Sequence, residues 1–260
     1  MRNGKRQHSG FSLTEVLLAV GTLAVGMIFI GGTFVVGIHF TTISSERTTA
    51  AIVADEAFAK IALYGVNLGD PNLTFNRLTP FEALAARAVD PNEFAYPSVR
   101  TPVERQYFWS ALCRRLDPNP AGRVVEVTVF ISRRIGSDPR YWLRNSFMPP
   151  VLLQSPLPRP VPVPVVHHPL ITGFNELQIN DADPGDLVNE VAFVNDGLTI
   201  VDNTFGGIYQ VVERYADRPD IIRLKTPWVG AATDWVWVVP PPAGGGRPPC
   251  IAVYQKEIRF

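Results

Sequence analysis

From Val16 to Phe40 the chain carries no Asp, Glu, Lys or Arg. A run of that length predicts a helix able to cross a bilayer, which needs about 20 apolar residues. The pattern then changes period instead of stopping. Over "HFTTISSERTTAAIVADEAFAKIALYG" the apolar positions are Ile43, Ala50, Val53, Ala54, Ala57, Phe58, Ile61 and Ala62. Their mixed spacings of three and four mark one face of an amphipathic helix. Glu46, Arg47, Asp55, Glu56 and Lys60 fall mostly off that stripe, and Gly65 supplies a stop. One helix over 11–64 is predicted, with its membrane part at about 11–40. It would be roughly 80 Å long at about 1.5 Å per residue. Gly21, Gly26, Gly31, Gly32 and Gly37 would let neighbouring helices approach closely.

Residues 69–100 are rich in Pro and Asn and read as loop, with one short helix over 80–89 capped by Thr79. "RVVEVTVFISRR" alternates with period two: Val125, Val127, Val129 and Ile131 against Glu126, Thr128, Phe130 and Ser132. With "RQYFWSALCRRL" and the turn "DPNPAG" it predicts an antiparallel hairpin whose apolar face covers the outer half of the helix. "MPPVLLQSPLPRPVPVPVVHHPL" is dense in proline and reads as a semi-rigid linker or edge-covering arm. From Leu187 short strands alternate with turn signals: "LVNEVAFV" before Asn195-Asp196-Gly197, then "LTIVD", "IYQVVERYA", "IIRLKTPW", "DWVWVVP" and "IAVYQKEIRF". The expected fold class is α+β. A short leader (1–10) precedes the helix (11–64), a globular region with the hairpin (65–150), a linker (151–170) and a β-rich module (171–260).

Composition adds limits. The formal net charge is zero, which removes the bulk attraction that a nucleic-acid binder relies on. The 24 prolines suit a loop-rich β body. Cys113 and Cys250 belong to no metal-spaced set; they could pair as one disulfide or stay as two buried thiols. Asp181, Asp183 and Asp186 in "NDADPGD" form a weak calcium candidate, though no Glu follows at EF-hand spacing and Pro184-Gly185 alone explains a turn. His167 and His168, being adjacent, point to opposite sides of an extended chain, which disfavours a two-His metal site. Arg114, Arg115, Arg133 and Arg134 read as solvated strand ends, and Trp228, Trp235 and Trp237 as core. GxSxG, P-loop, HExxH and GxGxxG patterns are absent, so neither an enzyme nor a cofactor is expected.

The N-terminal flank "MRNGKRQHSG" holds Arg2, Lys5 and Arg6 and no acid, which predicts a cytoplasmic N-terminus and an extracytoplasmic body. Glu15 is the anomaly, because carboxylates inside an apolar span are rare and usually paired. "GFSLTEVLLAVGTLAVGM" resembles the N-terminal signature of type IV prepilins and type II secretion pseudopilins. The likeness runs through Gly10, Phe11, Ser12, Leu13, Thr14, Glu15, Val16 and Leu17 and covers about the first 40 residues. Thr14 stands where many members carry an apolar residue.

The resemblance implies a pilin-like fold in the minor pilin or minor pseudopilin branch. It implies cleavage by a prepilin peptidase between Gly10 and Phe11, N-methylation of Phe11, and residence in a bacterial inner membrane before assembly with other pilin or pseudopilin subunits. It also implies that Glu15 compensates the positive N-terminus of an adjacent subunit. Such a pair about 4 Å apart gains about 4 kcal/mol at an effective dielectric near 20. The alternative is an extracytoplasmic adhesin or binding protein that uses the helix as an anchor and the β module for its ligand.

Overall fold

The computed structural model describes residues 12–98, 105–119, 121–147, 150–168, 173–185 and 188–260. The chain divides into two compact units, Met1–Thr48 and Thr49–Phe260. The division falls within one α-helix, α1 (Leu13–Tyr64). In the second unit α1 buries Ala50, Val53, Ala54, Ala57, Phe58 and Ile61. Burying Val53, Phe58 and Ile61 is worth roughly 1.5–3 kcal/mol each. Ala62, expected on this stripe, is exposed, because it lies about 100° round the helix from Ile61. Gly65 ends the helix at φ +74°, its amide donating to the Ile61 carbonyl at 2.9 Å.

After α1 come β1 (Thr79–Pro80), α2 (Phe81–Leu84) and β2 (Ala95–Tyr96). The helix expected over 80–89 is this single turn. Extended pairing takes over beyond it: Val66 bridges Ala85, and Ala86 donates to the Gly65 carbonyl at 3.1 Å. β3 (Tyr107–Arg115) and β4 (Val124–Arg133) form the expected antiparallel hairpin. Val125, Val127, Val129 and Ile131 of β4 join Trp109, Ala111 and Cys113 of β3 in the core beneath α1. The chain then builds a two-stranded ribbon, β5 (Tyr141–Phe147) and β6 (Pro150–Ser155).

Six strands close an antiparallel barrel: β7 (Val161–Val166), β8 (Glu176–Ile179), β9 (Thr199–Asp202), β10 (Ile208–Arg214), β11 (Ile221–Leu224) and β12 (Thr233–Val238). They run round it in the order β10-β11-β8-β7-β12-β9. Val163, Leu177, Ile200, Val211, Ile222 and Val236 fill its interior, as a barrel this small requires. The last strand, β13 (Cys250–Arg259), leaves the barrel and pairs with β4, giving a sheet of order β1-β3-β4-β13 with β2 beside β3.

Three expectations change here. First, the proline-rich stretch is not a linker, because β7 is a barrel strand. Pro162 and Pro164 alternate, so their missing N–H groups face one edge. On that edge Asn180 donates to the Pro164 carbonyl at 2.9 Å, while the amide of His167 bonds across the opposite edge to Ala232 at 2.7 Å. Second, "LVNEVAFV" contains a 3-10 turn, Glu190–Phe193, instead of a strand. The Asn189 side chain accepts from the Val191 amide at 2.9 Å, and Glu190 turns inward to a fully buried ion pair with Arg144 of β5.

Third, Arg114 and Arg115 are buried, not solvated. The second face of β4 lies against the barrel: Leu112 and Phe130 meet Val201, Trp237 and Val239. Arg114 sits opposite Glu126 and grips it with two hydrogen bonds, at 2.5 and 3.2 Å. It also reaches the Thr204 carbonyl of the β9–β10 turn at 3.3 Å. Gly206 of that turn, at φ +70°, lets the backbone close on this pair: a Cβ there would collide with Glu126 Oε1. Arg115 donates to the carbonyls of Leu73 and Gly122 at 3.0 Å each.

Beneath the same turn lie two carboxyls, Asp202 and Asp234, 0% and 7% exposed. Asp202 Oδ1 accepts from the amides of Thr204 and Phe205 at 2.7 and 3.3 Å. Burial first, and then the hydrogen bond shared with Asp234, push the Asp202 carboxyl up to about 7 from its ordinary 3.8. The folded state therefore holds this proton to a higher pH than the unfolded chain. Its contribution to stability is full below about pH 4 and is lost as pH rises through about 7. For the detergent-solubilised chain, the denaturant midpoint is expected to fall between pH 5 and pH 8.5. In Asp202→Asn that fall should shrink markedly, and an unchanged slope would remove this pair from the account.

Candidate anchor and assembly segment

From Val16 to Phe40 α1 carries no Asp, Glu, Lys or Arg on any side, and Leu18, Ile28, Phe29 and Phe34 are each at least 70% exposed. Among the described residues α1 is the one helix long and apolar enough to cross a membrane. Its hydroxyls are satisfied internally: Thr22, Thr33 and Thr42 donate to the carbonyls of Ala19, Ile30 and Ile38 at 2.9–3.0 Å. A helix in hydrocarbon must satisfy its polar groups in this way. Gly21, Gly26, Gly31, Gly32 and Gly37 have open space around each Cβ position. Steps of five residues turn the helix by about 140°, so these glycines spread round it and make no single close-packing face.

Glu15 has a local partner. The Ser12 amide donates to Glu15 Oε2 at 3.2 Å, and the Glu15 amide donates to Ser12 Oγ at 3.2 Å. This is a reciprocal capping box, which satisfies two of the four amides left unpaired at a helix start. The carboxylate also sits at the positive end of the helix dipole. "SLTE" carries the signature Ser-x-x-Glu before an apolar run, and reading Glu15 through a neighbouring subunit alone passes over it.

Gly10 and Phe11 lie outside the described residues. So does Asp186; Asp181 Oδ1 accepts from the Asp183 amide at 3.3 Å and Asp183 Oδ1 from the Gly185 amide at 3.1 Å. Those two carboxylates are engaged in turn chemistry. Among the described residues no three His, Cys, Asp or Glu side chains converge to hold a metal.

The disulfide alternative for Cys113 and Cys250 fails on register. Cys113 stands opposite Val127 and Cys250 opposite Ser132, on the two sides of β4. Five residues along a strand is about 16 Å, whereas bridged Cα atoms lie within about 7 Å. The two also face different cores, Cys113 under α1 and Cys250 toward the barrel. Burial pushes both thiols up, Cys250 to about 12, and both are free. His168 is exposed at the end of β7, Trp228 stacks on Tyr209 at 4.8 Å, and Trp237 fills the layer between sheet and barrel. A hollow of about 300 Å³ opens outside the barrel, beside Phe108, Arg134 and Leu157.

No family model, curated protein or solved structure matches the chain.

The capping box separates two roles of Glu15, because glutamine keeps the box and removes the charge. By amide exchange in detergent, Ser12→Ala is expected to weaken protection of the first helical turn, consistent with a cap worth about 1 kcal/mol. Glu15→Gln should leave that protection near wild type. Equal loss in both variants would mean that the charge itself holds the helix start.

Proposed function

We propose that the chain is a minor pilin or pseudopilin, a structural subunit of a type IV pilus or of a type II secretion pseudopilus. The observation that carries this reading is the order of features at the start of the chain. Gly10-Phe11 precedes Glu15 by the spacing of the prepilin signature, and Glu15 opens a helix that is apolar all round. From Ala50 that helix becomes a one-sided element buried on an antiparallel sheet.

In this reading the basic flank holds the N-terminus in the cytoplasm and α1 anchors the subunit in the inner membrane. A prepilin peptidase cuts after Gly10, and the new amine of Phe11 is methylated. Glu15 then meets the positive N-terminus of a neighbouring subunit as the helix leaves lipid. The filled barrel supports a structural role over ligand capture, because its interior is occupied by its own side chains. The chain acts as the substrate of an enzyme and performs no catalysis itself.

In a host carrying the assembly machinery, the mature protein is expected to begin at methylated Phe11, read by intact-mass and N-terminal sequencing. Gly10→Ala should accumulate with its leader attached. Glu15→Gln should be cut normally yet be depleted from sheared filaments. Normal incorporation of Glu15→Gln would sink the charge-pair role, and a mature N-terminus elsewhere would sink the family assignment.

A further inference from the structure

The turn between β9 and β10 ties the barrel to the sheet. β9 ends at Asp202 and β10 begins at Ile208. The residues between them reach three separate segments of the sheet layer. The Leu78 amide, just ahead of β1, donates to the Asn203 carbonyl at 3.1 Å and to Asn203 Oδ1 at 3.3 Å. Arg114 of β3 donates to the Thr204 carbonyl at 3.3 Å, and Gln255 of β13 to the Gly206 carbonyl at 3.0 Å. Within the barrel, Trp237 Nε1 donates to Asn203 Oδ1 at 2.9 Å and the Asn203 amide to the Trp235 carbonyl at 2.9 Å. The shape of the turn hangs on Asp202. Its Oδ1 accepts from the amides of Thr204 and Phe205, and its carbonyl from the Gly206 amide at 3.0 Å.

Asp202 also meets a second carboxyl. It stands opposite Val236, so Asp234, two residues along β12, shares its face. The two carboxyls hydrogen-bond to each other, which requires a retained proton, because an ionised carboxylate only accepts. Beyond this mutual bond, each Oδ2 is buried without a donor. The charged and titratable groups around the pair are otherwise engaged. Tyr209 of β10 lies close enough to feel the charge of Asp202, and its hydroxyl accepts from the Val229 amide at 3.3 Å. On the sheet side Arg114 is committed to Glu126. Glu176 of β8 accepts from the Tyr215 hydroxyl at 2.5 Å, His167 follows β7, and Lys225, after β11, is exposed.

We propose that the Asp202–Asp234 pair is a proton-held latch on the joint between barrel and sheet: loss of the shared proton releases the β9–β10 turn from the sheet while the strands on either side stay folded. Two buried carboxyls in contact cannot both ionise in place, so one must retreat to water. Asp234 sits within β12, which pairs with β7 from Thr233 to Val238. Asp202 is the last residue of β9, where pairing stops and the turn begins. Asp202 is therefore the one that withdraws, and its Oδ1 takes the amides of Thr204 and Phe205 with it. The closed turn holds the proton up to about pH 7, whereas the solvated carboxyl of the open turn has lost it above about 4. Opening thus releases a proton in that window. Its equilibrium constant rises by up to about tenfold per pH unit there and levels off above.

The measurement is hydrogen exchange of the full chain in detergent from about pH 5 to about pH 8, corrected for intrinsic rates. The Leu78 and Asn203 amides and the Trp237 indole N–H report on the joint, and the amides of β4 serve as the internal reference. The opening constant at the joint is expected to rise severalfold per pH unit up to about pH 7 while that of β4 stays nearly flat. Asp234→Asn removes one charge and leaves the hydrogen bonds of the turn in place, so it should abolish the rise with the turn still closed. Asp202→Asn should flatten the profile in the same way. Protection at the joint that does not vary with pH would overturn the proposal, as a swing of the Asp234 side chain alone would then relieve the repulsion. So would a rise that survives in Asp234→Asn. An equal rise at the joint and in β4 would also overturn it, because the whole fold would then loosen together.

Discussion

The bidentate contact between Arg114 and Glu126 sits where three layers meet. β4 is paired on both edges and buried on both faces. Its valines belong under α1, and its other face would ordinarily meet water. That face is instead covered by the barrel, so each polar group on it needs a partner inside the protein. Arg114 answers Glu126, and Gln255 reaches both Thr128, at 3.3 Å, and the Gly206 carbonyl, at 3.0 Å. Removing one member of such a pair leaves a buried charge uncompensated and costs about 3–5 kcal/mol. The β9–β10 turn can approach because Gly206 has no side chain to obstruct it, and that approach brings the barrel onto the sheet.

Period-two alternation in "VVEVTVFISR" identified β4 and the face that meets α1, and mixed threes and fours located the buried stripe of the helix. Both signals are local, since they depend on neighbours a few residues away. The partner of the second face is not local. A strand reading "EVTVFIS" looks half-solvated whether water or a barrel covers Glu126 and Thr128. The return of β13 to β4 links residues more than a hundred positions apart and leaves no trace in either strand. Pro162 and Pro164 misled for a different reason. Proline density argues against a strand when every position is weighed alike, but prolines at alternate positions leave the other edge of the strand free to bond. Glu190 misled because an alternating pattern cannot announce a buried ion pair with Arg144.

At the anchor Ser12 and Glu15 form a local signal, Ser-x-x-Glu ahead of an apolar run. Glu15 invited an explanation from outside the chain because a carboxylate in an apolar run demands a partner. Ser12 supplies one from within. The two accounts are compatible in charge and in time: one oxygen of Glu15 is engaged by the Ser12 amide, and a carboxylate accepts at both oxygens. A capped helix start would also hold Glu15 in place, which a charge pair between subunits requires.

Closing the barrel removes six strands from any association by edge pairing, since a closed sheet has no free edge. The four-strand path β1-β3-β4-β13 has two ends. β1 and β2 lie along β3, and β13 ends the other side with Gln255, Lys256, Glu257 and Arg259 exposed. Charged side chains on a terminal strand oppose strand addition. Among the described residues, the sheet edges left open are those of the short β5–β6 ribbon and the charged edge of β13, while the apolar length of α1 is exposed. Under the filament role proposed above, assembly through the helix gains from this arrangement, because a reactive sheet edge would compete with the helix.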